Sequence, residues 1–195
     1  MCLRYGTDFF PATPDIADLA ERASCGVVAG AVLYYNWVFQ PSYARTMRAA
    51  GLRALPAWIC LFRGHIVDSW AADARKSLCA KARTQLGVEL DDEAAVRAAL
   101  AAELGAMQAC LADGADYLRG AARPSAADFS LYAMLERLVG DVGDVRLPCA
   151  LPELVADTPD LARLWAWHAT MRERHPIRFK GKRPPKATQV AAASE

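Results

Sequence analysis

Few of the 195 residues stand where their types and spacing would do chemistry. The three histidines, His65, His168 and His175, are scattered. None belongs to an HExxH arrangement, which would bring two imidazoles onto one helix face around zinc. Neither a GxSxG nucleophile elbow nor a phosphate-cradling P-loop occurs. The six cysteines, at 2, 25, 60, 79, 110 and 149, form no C-x-x-C pair and have no histidine at a zinc-ligand interval, so no metal site is expected. Four of them fall in helical periodic segments, where a thiol packs as a small apolar group, and reduced, buried cysteines are the expectation. His168 falls on an apolar stripe and reads as a core or groove residue. Asp128 is a carboxylate inside an apolar segment, but Ser125 three residues earlier gives it a structural task. The pair has the spacing of a capping box, in which each side chain takes a backbone N–H at a helix start. No catalytic residue is assigned.

The elements that must position these residues read as helices throughout. Thr13-Pro14-Asp15 has the order N-cap, N1 proline, first-turn acid, and a helix is predicted from there to about Phe39. Its stretch Ala23–Ala44 carries no charge and contains Gly26-x-x-x-Gly30. A bundle-centre helix, apolar all round, accounts for it, with a membrane span as the alternative. A short helix is predicted within Pro41–Leu55. Pro56 could then open a long element with the stripe Trp58, Ile59, Phe62, Ile66, Trp70, Ala74, Leu78 and Leu86, weakened at Gly64 and closed by Gly87. Asp91-Asp92-Glu93 starts the next helix, whose stripe is Val96, Leu100, Leu104, Met107 and Leu111, ending at Asp113-Gly114.

The segment Arg123–Gly140 is the most fully specified. Ser125 and Asp128 form the capping box, Pro124 and Phe129 are placed for a hydrophobic staple, and Gly140 suits the C-terminal end. Leu131, Tyr132, Leu135, Leu138 and Val139 should be buried, with Glu136 and Arg137 facing out. A short helix could follow around Pro152–Asp157. Thr158-Pro159-Asp160 repeats the cap–proline–acid start, with Leu161, Leu164, Trp165, His168 and Met171 inward and His175-Pro176 at the end. No segment alternates with period two. The expected fold is all-α, a bundle of about five or six helices. A lead-in segment occupies 1–12, the domain 13–176, and a basic, disordered tail 177–195.

Composition agrees with a folded domain. Hydrophobic residues make up 54% and charged residues 23% of the chain, and the net charge is +1. That balance excludes a broad nucleic-acid surface. Met1–Phe10 has no apolar run of signal-peptide length, and a cytoplasmic location is expected.

Two passages and the helix order together resemble the C-terminal domain of the glutathione transferase superfamily. Tyr117-Leu118-Arg119-Gly120 followed by Arg123-Pro-Ser-Ala-Ala-Asp-Phe129 is similar to the family's passage around its N-capping box, with Ser125 and Asp128 on the capping positions. Thr158-Pro-Asp-Leu-Ala-Arg-Leu-Trp165 is similar to its closing helix. The resemblance implies a thioredoxin-like domain ahead of the helical one, holding glutathione as co-substrate. No motif of that domain occurs here, so either a truncated reading frame or a helical domain standing alone is expected. It also implies that the first helix and the closing segment wall an apolar electrophile site. The matching region holds Tyr34, Tyr35, Trp37 and Tyr43, whose apolar rings and polar tips suit a half-open groove for an apolar small molecule, or ordinary core packing. Three functions follow: a glutathione transferase or part of one, inactive without its glutathione-binding domain; a non-catalytic interaction module forming a homodimer or hetero-complex; and a membrane-associated protein. The last would use the Ala23–Ala44 stretch, and Leu33–Val38 with Arg45-Thr46 is similar to the metaxin-like branch.

Overall fold

A computed structural model of the chain describes residues 13–39, 43–44, 47–56, 62–111, 114–139, 141–142, 145–146 and 159–176. The expectations for the segments 1–12, 152–157 and 177–195, and for Trp58, Ile59, Thr158 and Gly140, lie outside those residues. The fold is an all-helical bundle, as expected. Its helices are α1 (Pro14–Cys25), α2 (Val27–Leu33), α3 (Met47–Ala54), α4 (Arg63–Leu86), α5 (Glu93–Ala109), α6 (Ala126–Val139) and α7 (Ala162–Arg174). A two-residue antiparallel ladder, β1 (Asp141–Val142) with β2 (Val145–Arg146), is an addition no periodicity announced.

The helix predicted from Thr13 to Phe39 starts as expected, with the Ile16 N–H donating to Thr13 Oγ1 at 3.4 Å, but it is not continuous. Gly26 interrupts it with φ −89° and ψ −152°. A Cβ there would sit 2.4 Å from the Arg22 carbonyl oxygen, so the break needs glycine. The break separates α1, packed mainly on α6, from α2, packed among α4, α5 and α6. Val28, Ala29, Gly30, Ala31 and Val32 are all buried, which is the signature of a bundle-centre helix. Gly30 permits the approach to α4, since a Cβ there would lie 2.9 Å from Gln85 Cβ. The chain then widens into a π-helical turn, Tyr34–Val38, closed by the Phe39 N–H on the Tyr34 carbonyl at 2.9 Å. Among the described residues no helix is long and apolar enough to cross a membrane.

The face assigned to α4 also needs correction. Pro56 is not helical, the helix begins at Arg63, and Gly64 lies in its first turn rather than at a kink. Phe62 and Trp70 are 64% and 65% exposed. Leu86 is buried as expected, but Val67, Ala71 and Ala82 take the other inward places. Val67 and Ala71 each follow Ile66 and Trp70 by one residue, so the helix is turned by about 100° from the expected orientation. The inward face carries small side chains because α2 and α3 lie close against it.

The stripe of α5 is as expected, with Val96, Leu100, Leu104, Met107 and Leu111 buried. Asp92 Oδ1 accepts the Ala95 N–H at 3.0 Å and caps its start. Glu103 on α5 takes a two-pronged contact from Arg22 on α1, both bonds 2.7 Å. In α6, Leu131, Tyr132, Leu135 and Leu138 are buried. Glu136, expected to face solvent, is only 4% exposed, because α7 covers it and supplies Arg172 and His168. A 3₁₀ turn, Pro159–Leu161, leads into α7. Gln108 of α5 holds that entry, accepting the Leu164 N–H at 3.0 Å and donating to the Asp160 carbonyl at 2.6 Å. Leu161, Leu164, Trp167, His168 and Met171 are buried, and Trp167 takes the inward place expected for Trp165. The three described cysteines are free, as expected, but not buried: Cys25 is exposed, and Cys79 and Cys110 are half-buried.

Candidate functional site

Ser125 and Asp128 form the capping box. The Asp128 carboxylate accepts the Ser125 N–H at 2.7 Å and its hydroxyl at 2.6 Å, while the Asp128 N–H donates to Ser125 Oγ at 3.3 Å. Its other oxygen accepts the Leu118 N–H at 2.8 Å. Both side chains are buried, so the carboxylate is occupied by backbone rather than presented to a ligand.

His168 is buried beside the Tyr132 ring (centroids 5.6 Å apart) and the edge of Trp165 (6.2 Å). Its Nε2 lies 2.8 Å from Glu136 Oε1, and Arg172 Nε donates to the same oxygen at 2.8 Å. Burial holds the imidazole below its ordinary pKa, against the opposing pull of Glu136. This cluster ties α6 to α7 and opens onto neither of the two cavities described next. Among the described residues no three His, Cys, Asp or Glu side chains are grouped to hold a metal ion.

The four aromatic candidates part company. Tyr34 and Tyr35 belong to the hydrophobic core, their rings edge-on at 5.0 Å. Burial pushes the Tyr35 phenol up to about 12, with the Arg97 charge opposing it. Trp37 is half-buried, and its ring lies 6.4 Å from that of Tyr43. Tyr43 lines a cavity.

That cavity, of about 460 Å³, lies between α4 and the segment entering α3. Its walls are Tyr43, Ala71 and Ala72 with the side chains of Arg48, Asp68 and Arg75. Positions 68, 71, 72 and 75 share one face of α4 by helical spacing. Arg48 meets Asp68 fork to fork, at 2.9 and 3.1 Å, and the guanidinium holds the Asp68 carboxyl below its usual range. Arg75 reaches across to the Val38 carbonyl at 2.9 Å, at the end of the π-helical turn, and its guanidinium lies 5.2 Å from the Tyr43 ring centre. Tyr43 is 5% exposed, and its hydroxyl finds no hydrogen-bond partner among the described residues. Burial pushes that phenol up, Asp68 adds to the shift, and Arg75 and Arg48 oppose it. The hydroxyl therefore lies in the field of three charged cavity walls and stays protonated, a hydrogen-bond donor, at neutral pH.

Arg48, Asp68 and Arg75 were not singled out for a site in the sequence. The 68–71–72–75 spacing is the available signal, and the apolar stripe about 100° around α4 masks it. A second cavity, of about 280 Å³, lies where Trp167 and Arg163 of α7 meet Leu111 and Asp116.

Comparison with known proteins adds the family. The family described as "Glutathione S-transferase, C-terminal domain" matches residues 68–170, more than half of the chain. The matched stretch runs from early α4 through most of α7, and it includes the capping box and four walls of the larger cavity: Asp68, Ala71, Ala72 and Arg75. No curated protein and no solved structure matches the chain. The match and the helical architecture it covers assign the chain to the glutathione S-transferase C-terminal domain family.

Proposed function

We propose that this domain serves a glutathione transferase-like protein by holding a small apolar molecule in the cavity beside Tyr43. The observation that carries the reading is the cavity itself. Its volume is in the range that holds small ligands, and alanines, the Tyr43 ring and arginine stems give it apolar surface beside the charged ends of Arg48, Asp68 and Arg75. The chemistry that goes with the family is attack of the glutathione thiolate on an electrophile, forming a thioether and expelling the leaving group as an anion. Glutathione is the co-substrate in this reading, and the resemblance gives its site to a thioredoxin-like domain. The helical domain contributes position: an electrophile held against a rigid wall loses its rotational freedom before reaction. Calorimetric titration of the chain with a neutral two-ring probe, 2-naphthamide, tests it. Saturable binding lost in Ala72→Trp, which fills the cavity, supports the reading. No saturable binding to the unmodified chain overturns it.

A second reading, an interaction module, is supported by Phe62 and Trp70, two large apolar side chains exposed near the start of α4. Sedimentation of the chain and of Trp70→Lys tests it, since a self-associating face would lose its association on gaining a charge.

A further inference from the structure

Away from both cavities, the outer side of α4 combines two apolar tips with positive charge. Phe62 and Trp70 are the large hydrophobic side chains left exposed among the described residues. Eight residues of chain set them about 12 Å apart along the helix axis, with the half-buried Ile66 between them. By helical spacing Arg63 and Lys81 lie within about 20° of Trp70 around α4, so a cation flanks the aromatic edge on either side. Lys76 and Asp73 stand out in solvent, 4.0 Å apart. Together α3 and α4 carry seven Lys and Arg against two Asp, a net +5 in a chain whose total is +1, so the rest of the chain is net negative. Asp68 holds Arg48 and Glu89 holds Arg83, while Arg53, Lys76 and Lys81 are exposed.

We propose that this face docks on an anionic lipid surface, Phe62 and Trp70 entering the headgroup boundary while the cations of α3 and α4 meet the lipid phosphates and carboxylates. The proposal rests on the reading that the exposed Phe62–Trp70 face is an interaction surface, and it names the partner. Charge selects an anionic partner, and area selects a bilayer. A stable protein interface takes about 20–30 residues a side around a packed apolar centre. Two aromatic tips with one half-buried isoleucine between them fall short of that. A bilayer takes such tips singly, because its boundary deforms around them and accommodates an apolar ring with a polar edge. Each Lys or Arg held near an anionic leaflet adds to the attraction. The helix lies on such a surface rather than through it, since among the described residues no helix is long and apolar enough to cross a membrane.

Co-sedimentation of the full chain with vesicles tests it, phosphatidylcholine alone against phosphatidylcholine with about 30 mol% phosphatidylserine. The anionic vesicles should bind the chain at least about ten-fold more tightly, and less tightly as sodium chloride rises from about 50 to about 500 mM. Lys81→Ala should weaken that binding about five-fold. The double variant Phe62→Ala, Trp70→Ala should weaken it about ten-fold or more. All three side chains are exposed, so the variants should keep the parent's urea midpoint. The basic stretch Arg178–Lys186 would attract the same vesicles by charge alone, so the aromatic pair decides. A double variant that binds as the parent does, equal binding to the two vesicles, or binding to neither overturns the proposal. If vesicles are not bound but the chain self-associates and Trp70→Lys does not, the interaction face stands with a second copy on it, and the lipid proposal falls. Binding to polyuridylate or polyglutamate that the same variants lose, with no vesicle binding, gives the face to a nucleic acid or an acidic protein and also overturns it. With neither vesicle binding nor a Trp70-dependent association, both readings of the face fall.

Discussion

The Asp128 carboxylate accepts the backbone N–H of Leu118, ten residues earlier, at 2.8 Å, while its second oxygen closes the capping box on Ser125. One side chain thus joins a helix start to the turn before it. That turn, Leu118–Gly120, holds Arg119 at φ 60° and Gly120 at φ 68°, a left-handed pair that an L-residue adopts reluctantly. The clamp and the turn support each other, and Leu118 anchors them to the core.

Asp128→Ala should therefore cost more than a lost cap. It leaves the Leu118 and Ser125 N–H groups buried without an acceptor, and the expected loss is about 2–4 kcal/mol. Ser125→Ala, which removes only the hydroxyl, should cost about 1–2 kcal/mol. Urea denaturation of both variants checks the order. Equal losses would mean that the Leu118 bond adds nothing.

Stability should fall as pH drops below about 6.5 because of His168. Burial holds its folded-state pKa below the ordinary value. The unfolded chain then binds a proton that the folded chain refuses, so acid favours unfolding until the folded-state pKa is passed. The groups facing His168 are Glu136 and Tyr132 of α6, and Trp165 and Arg172 of α7. His168→Gln should flatten the decline in urea midpoint between pH 7.5 and pH 5.5. An unchanged slope would place the titration elsewhere.

At Gly30, one added methyl is enough to disturb the bundle centre. The new Cβ would meet Gln85 Cβ at 2.9 Å and Leu86 Cγ at 3.0 Å, and Leu86 is buried with no space to retreat. Gly30→Ala should cost about 1–3 kcal/mol by overpacking, against the gain that alanine normally brings to a helix. A thermal melt at or above the parent would show that α2 and α4 lie farther apart.

Trp70 gives the opposite prediction. On the sequence stripe it looks buried, and its removal would then cost about 3–5 kcal/mol. At 65% exposure, Trp70→Ala should change stability by no more than about 0.5 kcal/mol. Urea midpoints separate the two values easily.

What the sequence by itself determined is local. Thr13, Asp92 and the Ser125–Asp128 pair each satisfy backbone groups within three residues, so their caps follow from spacing alone. The stripe of α5 and Leu131, Tyr132, Leu135 and Leu138 of α6 repeat at helical intervals and are buried as the period demands. The family was legible too, because its capping passage is one of these local devices. Tertiary structure decided which face of α4 turns inward, since small residues on one side allow α2 and α3 closer than the larger side chains of the other would. It decided that Glu136 is buried, since the partner that neutralises it comes from α7, thirty-six residues away. And it decided the site. Of the four aromatics in the candidate region, the core took Tyr34 and Tyr35, and Tyr43 alone met Arg48, Asp68 and Arg75 around a cavity. Asp68 and Arg75 share a helix face, but Arg48 and Tyr43 lie twenty and more residues before Asp68 with no period to announce them, and only the packing of α3 and the segment before it against α4 brings them together.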